Sequence, residues 1–125
     1  MSIPHPRTTH PACPIPSLFR PTGTWTVENM TGGRYEFSAV VVAGTHVVVA
    51  GGKMPRQWNP SVVDVFDLAT RSWSNTIAAA LVSPRFFLAG AEVPGTGAAM
   101  FAGGSSLVKG EGVLSSVEVV QLKSR

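Results

Sequence analysis

The residues of this chain that could do chemistry are few. His5, His10 and Cys13 are zinc-ligand types standing close together. A structural zinc site takes four such donors, and no fourth lies nearby. Cys13 is also a nucleophile by type, but a nucleophile needs a base held within reach, and the prolines around it leave nothing ordered to hold one. Beyond that segment there remain one histidine, His46, and one tyrosine, Tyr35, and no Ser-His-Asp set can be assembled. Two double glycines, Gly51-Gly52 and Gly103-Gly104, have the composition of a phosphate loop. Neither has the G-x-x-x-x-G-K-[ST] spacing or the following helix that surrounds a phosphate with N–H groups and a lysine. The chain is therefore expected to be no enzyme and to hold no metal or cofactor. What remains is recognition. Trp58 stands with Arg56 in a polar stretch, residues 53–60; a loop tryptophan is costly to expose, and both types are enriched among interface anchors. Arg34 and Arg85 each precede an apolar run. They serve either the same partner-binding rim or structural hydrogen bonds to neighbouring loops.

Strands must position these residues. The chain has 125 residues, 44% hydrophobic and 14% charged, with 13 glycines and 10 prolines. Glycine costs a helix interior about 1 kcal/mol relative to alanine and proline about 3. The abundant valines are stiff at χ1 and suit strands. An all-β domain follows. Residues 1–23 carry Pro4, Pro6, Pro11, Pro14, Pro16 and Pro21 among small, polar and basic residues, a composition that predicts a disordered, Pro-rich tail. From residue 24 on, apolar runs alternate with turn signals. Residues 24–28 form a short aromatic and β-branched run. Residues 37–42 and 46–50 flank Ala43-Gly44-Thr45 and read as a hairpin. Residues 61–67 alternate, and the turn 68–71 leads to Ser72-Trp73-Ser74. The same order returns at 86–91, 98–102 and 116–122.

Repetition is the clearest feature. Gly51-Gly52 recurs 52 residues on as Gly103-Gly104, Arg34 recurs 51 on as Arg85, and the Val63–Asp67 strand recurs 54 on. A period near 50 with about four short strands per unit is the size of a propeller blade. The order of an arginine, a hairpin with an apolar second strand, a double glycine, a V-x-V-F-D strand and a tryptophan resembles the kelch repeat. In the first unit these are Arg34, Val47-Val48-Val49-Ala50, Gly51-Gly52, residues 63–67 ending at Asp67, and Trp73. In the second they are Arg85, Ala98-Ala99-Met100-Phe101-Ala102, Gly103-Gly104 and Val117-Glu118-Val119-Val120. The second unit departs from the pattern, with Gln121 where Asp67 stands and no following tryptophan strand.

The resemblance implies an antiparallel, four-stranded kelch-type architecture in an incomplete propeller. Residues 24–28 are then the outer strand of a preceding blade, 34–75 a complete blade and 85–122 an incomplete one. The double glycine lets the backbone turn sharply and approach its neighbour, Asp67 caps the third strand, and Trp73 supplies apolar area between blades. Two blades cannot close a ring of four to eight, and repeat units need neighbours to bury their faces. The chain is thus expected to be a fragment of a larger propeller or to self-associate through uncovered faces. A first strand Trp25 that completed another copy's last blade would let several chains share one ring.

The resemblance also implies the function: a protein–protein interaction module whose loops meet a protein partner. The alternative it allows is a fragment of a propeller enzyme similar to galactose oxidase-like proteins, whose copper needs a cluster of His and Tyr ligands that His46 and Tyr35 alone do not supply. Other partners are not expected. Arg7 and Arg20 in the tail and the nearly balanced charges beyond it make no basic stripe for nucleic acid, although the net charge is +3. No apolar stretch reaches the ~18–20 residues of a membrane span. The tail has no signal-peptide core, and its acid-poor, Arg- and Ser-containing start resembles a transit peptide only in composition. A single cysteine excludes an internal disulfide and favours a reducing, cytoplasmic setting.

Overall fold

The computed structural model describes residues 23–30, 32–55, 61–74, 80–106 and 108–123. These hold seven strands and no helix. Strands β1 (Ser38–Val42), β2 (His46–Ala50), β3 (Val63–Asp67) and β4 (Ser72–Ser74) form one antiparallel sheet in that order. Strands β5 (Ala89–Val93), β6 (Ala98–Ala102) and β7 (Val117–Gln121) form a second, three-stranded one. The architecture is all-β with two separate sheets, and neither closes into a barrel.

Local sequence explains each turn. Between β1 and β2, Ala43 and Gly44 both take positive φ, 53° and 67°. That twist matches the strands it joins. Thr45 then returns its N–H to Val42 O at 3.0 Å. Between β5 and β6 the glycines do the same work, Gly95 at 75° and Gly97 at 69°, and Thr96 N–H bonds Val93 O at 3.3 Å. β1 and β5 start later than the apolar runs suggest. Tyr35 and Phe86 make isolated bridges to Lys53 and Ser105. The residue after each, Glu36 and Phe87, bends to a positive φ of 60° and 55°, so the strand proper begins beyond the bend.

The repeat is therefore visible in the backbone as well as in residue types. Gly51 and Gly52 have φ of 69° and 86°; Gly103 and Gly104 have 68° and 89°. Gly51 N–H bonds Val62 O, and Gly103 N–H bonds Ser116 O, each at 3.1 Å. Leu68 N–H reaches back to Thr45 O and Leu122 N–H to Gly97 O.

The core lies between the sheets. Register places Val40, Val48 and Val65 side by side on one face of the first sheet, flanked by Val42, Ala50 and Val63. Against it lie Ala99, Phe101 and Val120 of the second sheet, with Leu81 and Leu88 from the connection. Val42, Val48, Val65 and Phe101 are completely enclosed. Burying such a side chain stabilises by about 1.5–3 kcal/mol, so this one cluster holds the two sheets together.

Residues 24–28 depart from expectation. They lie outside every strand, and Trp25 is 97% exposed. An outer strand needs a third strand to pair with. Within the first sheet β4 already takes that place beside β3, whereas the outer edge of β7 in the second sheet carries no fourth strand among the described residues. Glu28 is held by Arg71 through an ion pair. Within one molecule residues 24–28 pair with neither sheet. The expected disordered tail, Gly23 apart, lies outside the described residues.

Candidate functional site

Arg34 and Arg85 both turn inward. Arg85 is completely enclosed. Its Nη1 donates to Gly103 O and Ser116 O, each at 3.0 Å, and its Nη2 to Ser116 Oγ and Glu118 Oε2, each at 2.8 Å. Glu118 accepts in turn from the N–H groups of Val82 and Ser83. Arg34 does the equivalent in the first unit: it donates to Val62 O at 3.4 Å and pairs with Asp64. Arg34 and Asp64 stand to Arg85 and Glu118 as one repeat to the next. Both arginines thus clasp the second residue of their unit's third strand. This is the structural alternative of the sequence reading; a partner-facing rim is not where these guanidiniums point.

Asp67 ends β3. Its Oδ1 accepts from Ala69 N–H at 2.8 Å and Thr70 N–H at 3.1 Å, and Oδ2 lies 3.5 Å from His46 Nε2. His46 Nδ1 meets Thr45 Oγ1 at 2.8 Å. Thr45 and His46 border an open cleft of about 700 Å³ between the hairpin turns of the two sheets, lined also by Val42, Thr96, Gln121 and Lys123. Its polar groups are occupied with each other; Gln121, for one, donates to Thr96 O at 2.7 Å. Tyr35 is at the other end of the sheet, paired beyond β2 with Lys53. At ~3.4 Å per residue that is on the order of 20 Å from His46, too far to share a metal. No group of three His, Cys, Asp or Glu side chains converges among the described residues. His5, His10 and Cys13 lie outside them.

Trp73 stacks on Phe66, ring centroids 5.0 Å apart. Register places it beside Phe66, opposite in pleat to Val65, on the face turned away from the second sheet. Its indole N–H has no hydrogen-bond partner.

The end of the sheets that carries the double glycines is different in kind. Lys53 Nζ pairs with Glu36 at 3.1 Å and sits 4.0 Å above the Phe86 ring, with Tyr35 and Phe87 at 5.9 and 5.8 Å. Such cation–π contacts are worth about 0.5–1 kcal/mol at an exposed site. Around this cation Tyr35 is 49% exposed and Phe87 64%, with Phe37 partly exposed too. The positive φ at Phe87 and the bend at Glu36 turn these rings outward. Sequence reasoning weighed Tyr35 only as a metal ligand and passed over Phe86 and Phe87. The available signal was the aromatic directly after each repeated arginine, Tyr35 and Phe86. Arg56 and Trp58, in the polar stretch that continues from Lys53, lie outside the described residues.

No protein-family model matches this chain, and no curated protein matches its sequence.

Proposed function

We propose that the chain is a kelch-type repeat module that binds a protein partner and performs no catalysis of its own. The observation that carries this reading is the rim of exposed aromatics, Tyr35 and Phe87 around Lys53 with Phe37 beside Gly52, at the end of both sheets. Aromatics and basic residues clustered on a rigid strand scaffold are the composition of an interface anchor, and exposed rings are unfavourable to leave in water without such a use. Two further observations support it. The units repeat in backbone geometry as well as in sequence, and the polar stretch with Arg56 and Trp58 follows Lys53 in the sequence. The partner's complementary surface would be apolar at its centre and acidic toward Lys53 and Arg56.

The test is cross-linking mass spectrometry in cell extract, comparing the wild type with Phe87→Ala and with the Arg56→Ala/Trp58→Ala pair. Phe87→Ala trims an exposed ring, and both variants should leave the circular dichroism spectrum unaltered. Each variant should lose the cross-links that the wild type forms at Lys53. Retention of those cross-links in all variants would sink the reading.

A further inference from the structure

The internal contact between the two sheets joins unlike faces of the repeat. The first sheet contributes Val40, Val48 and Val65, whose counterparts one repeat on are Ala91, Met100 and Val119; register puts these on the second sheet's opposite, uncovered face. The second sheet contributes Ala99, Phe101 and Val120, whose counterparts Val47, Val49 and Phe66 lie on the first sheet's other face. Each molecule thus uses one face of each kind and keeps one of each kind free of any covering sheet among the described residues. Contacts between unlike faces propagate rather than cancel.

The residues on the free faces have changed together in a way that suits the same contact. In the internal interface Gly90 is pressed close to Ser38 and Val40: a Cβ there would come within 2.5 Å of Ser38 Oγ and 2.7 Å of Val40 Cγ2. On the free faces the counterpart of Gly90 is the larger Ala39, and the counterparts of Ser38 and Val40 are the smaller Ala89 and Ala91. In the internal interface Ala43 N–H donates to Glu92 Oε1 at 3.0 Å. The counterpart of Ala43 is Pro94, which has no N–H, and the counterpart of Glu92 is Val41, which has no acceptor. A volume exchange and a hydrogen-bond exchange both balance.

The backbone offers the remaining contacts. Across the internal interface Gly52 N–H bonds Arg85 O and Phe87 N–H bonds Glu36 O, each at 2.9 Å. Their counterparts, Gly104 N–H with Arg34 O and Glu36 N–H with Phe87 O, make no backbone hydrogen bond among the described residues. Gly51 lies against Arg85 O, 2.5 Å from where its Cβ would be, whereas Gly103, with the same φ, has nothing nearer than 3.7 Å.

We propose that the chain self-associates head to tail, the free face of β5–β7 in one copy seating the free face of β1–β4 in the next, with Gly104 N–H donating to Arg34 O of the second copy. The interface shares the strand-entry backbone at Glu36 and Phe87 with the rim of the partner-binding reading, and the two are told apart at Val41 and Val119, which lie on the sheet faces and outside that rim.

Val119, 60% exposed, and Val41, 50% exposed, lie on the two opposed free faces and support little of the monomer's core. Sedimentation velocity of the wild type from micromolar to millimolar concentration should show assembly continuing past the dimer. Val119→Lys alone and Val41→Lys alone should stay monomeric, each lacking one of the two faces. Their equimolar mixture should form dimers and stop there, because each supplies the face the other retains. The gentler Val119→Thr and Val41→Thr keep β-branching and the fold, and should weaken assembly roughly fivefold. A wild type that stays monomeric throughout, a Lys variant that still assembles alone, a mixture that stays monomeric while the wild type assembles, or Thr variants that assemble as the wild type does would each overturn the proposal.

Discussion

Arg85 shows what a single side chain does here. Its guanidinium has no contact with water, and Glu118 and two carbonyls satisfy it. Such a pair is weak evidence of net stabilisation, but removing one partner leaves a buried charge uncompensated and costs about 3–5 kcal/mol. Arg85→Ala should therefore shift the urea unfolding midpoint strongly downward, with a loss at the lower end of that range because Val82 and Ser83 N–H groups still bind Glu118. A loss below about 1 kcal/mol would show that the clasp is incidental. The recurrence of this arginine is legible in the sequence, while its direction is not. An arginine ahead of an apolar run reads the same whether it faces a partner or the interior. The missing clue is the acid at the second position of each third strand, Asp64 and Glu118, which lies 30 and 33 residues downstream and becomes a neighbour only once the hairpin has folded back.

At the scale of elements, the hairpins and the order of strands are readable because valine runs and glycine turns act locally. The bounds of β2, β4 and β6 match the apolar runs; β1 and β5 start late because of bends at Glu36 and Phe87, and no local residue signal marks a left-handed Glu or Phe. Residues 24–28, expected as the outer strand of a preceding blade, pair with neither sheet of this molecule. The double glycines also differ in a way that only packing reveals. Gly51→Ala and Gly103→Ala impose the same left-handed backbone on an alanine, costing roughly 1–2 kcal/mol. Gly51→Ala adds a clash with Arg85 O, backbone that cannot step aside. Thermal denaturation at low protein concentration should thus rank Gly51→Ala as the less stable of the two by a clear margin. Equal losses would mean that the two units do not press on each other at this point.

Across the whole molecule one cluster is shared by both sheets, and Phe101 sits at its centre with no exposure. Phe101→Ala removes a large side chain from a packed site, a change that costs about 3–5 kcal/mol. Because residues of both sheets line the cavity it leaves, both should lose their structure in one transition; hydrogen exchange should show β2 and β6 amides losing protection together. Protection lost in β6 alone would mean that the sheets are independently stable. The pairing of unlike faces was not readable beforehand, since the alternation of side chains tells which residues share a face and not which faces meet. The two arginine clasps carry one more consequence. Each ties the entry of its unit to the third strand across an intervening loop, and the spans they bridge differ in length while the strand geometry beyond them does not. The clasp uncouples the course of the sheet from the loop it brackets. Those loops are consequently the part of the molecule where residues can be added, lost or exchanged at little structural expense, which makes them the region in which the repeat units are free to differ in length and composition.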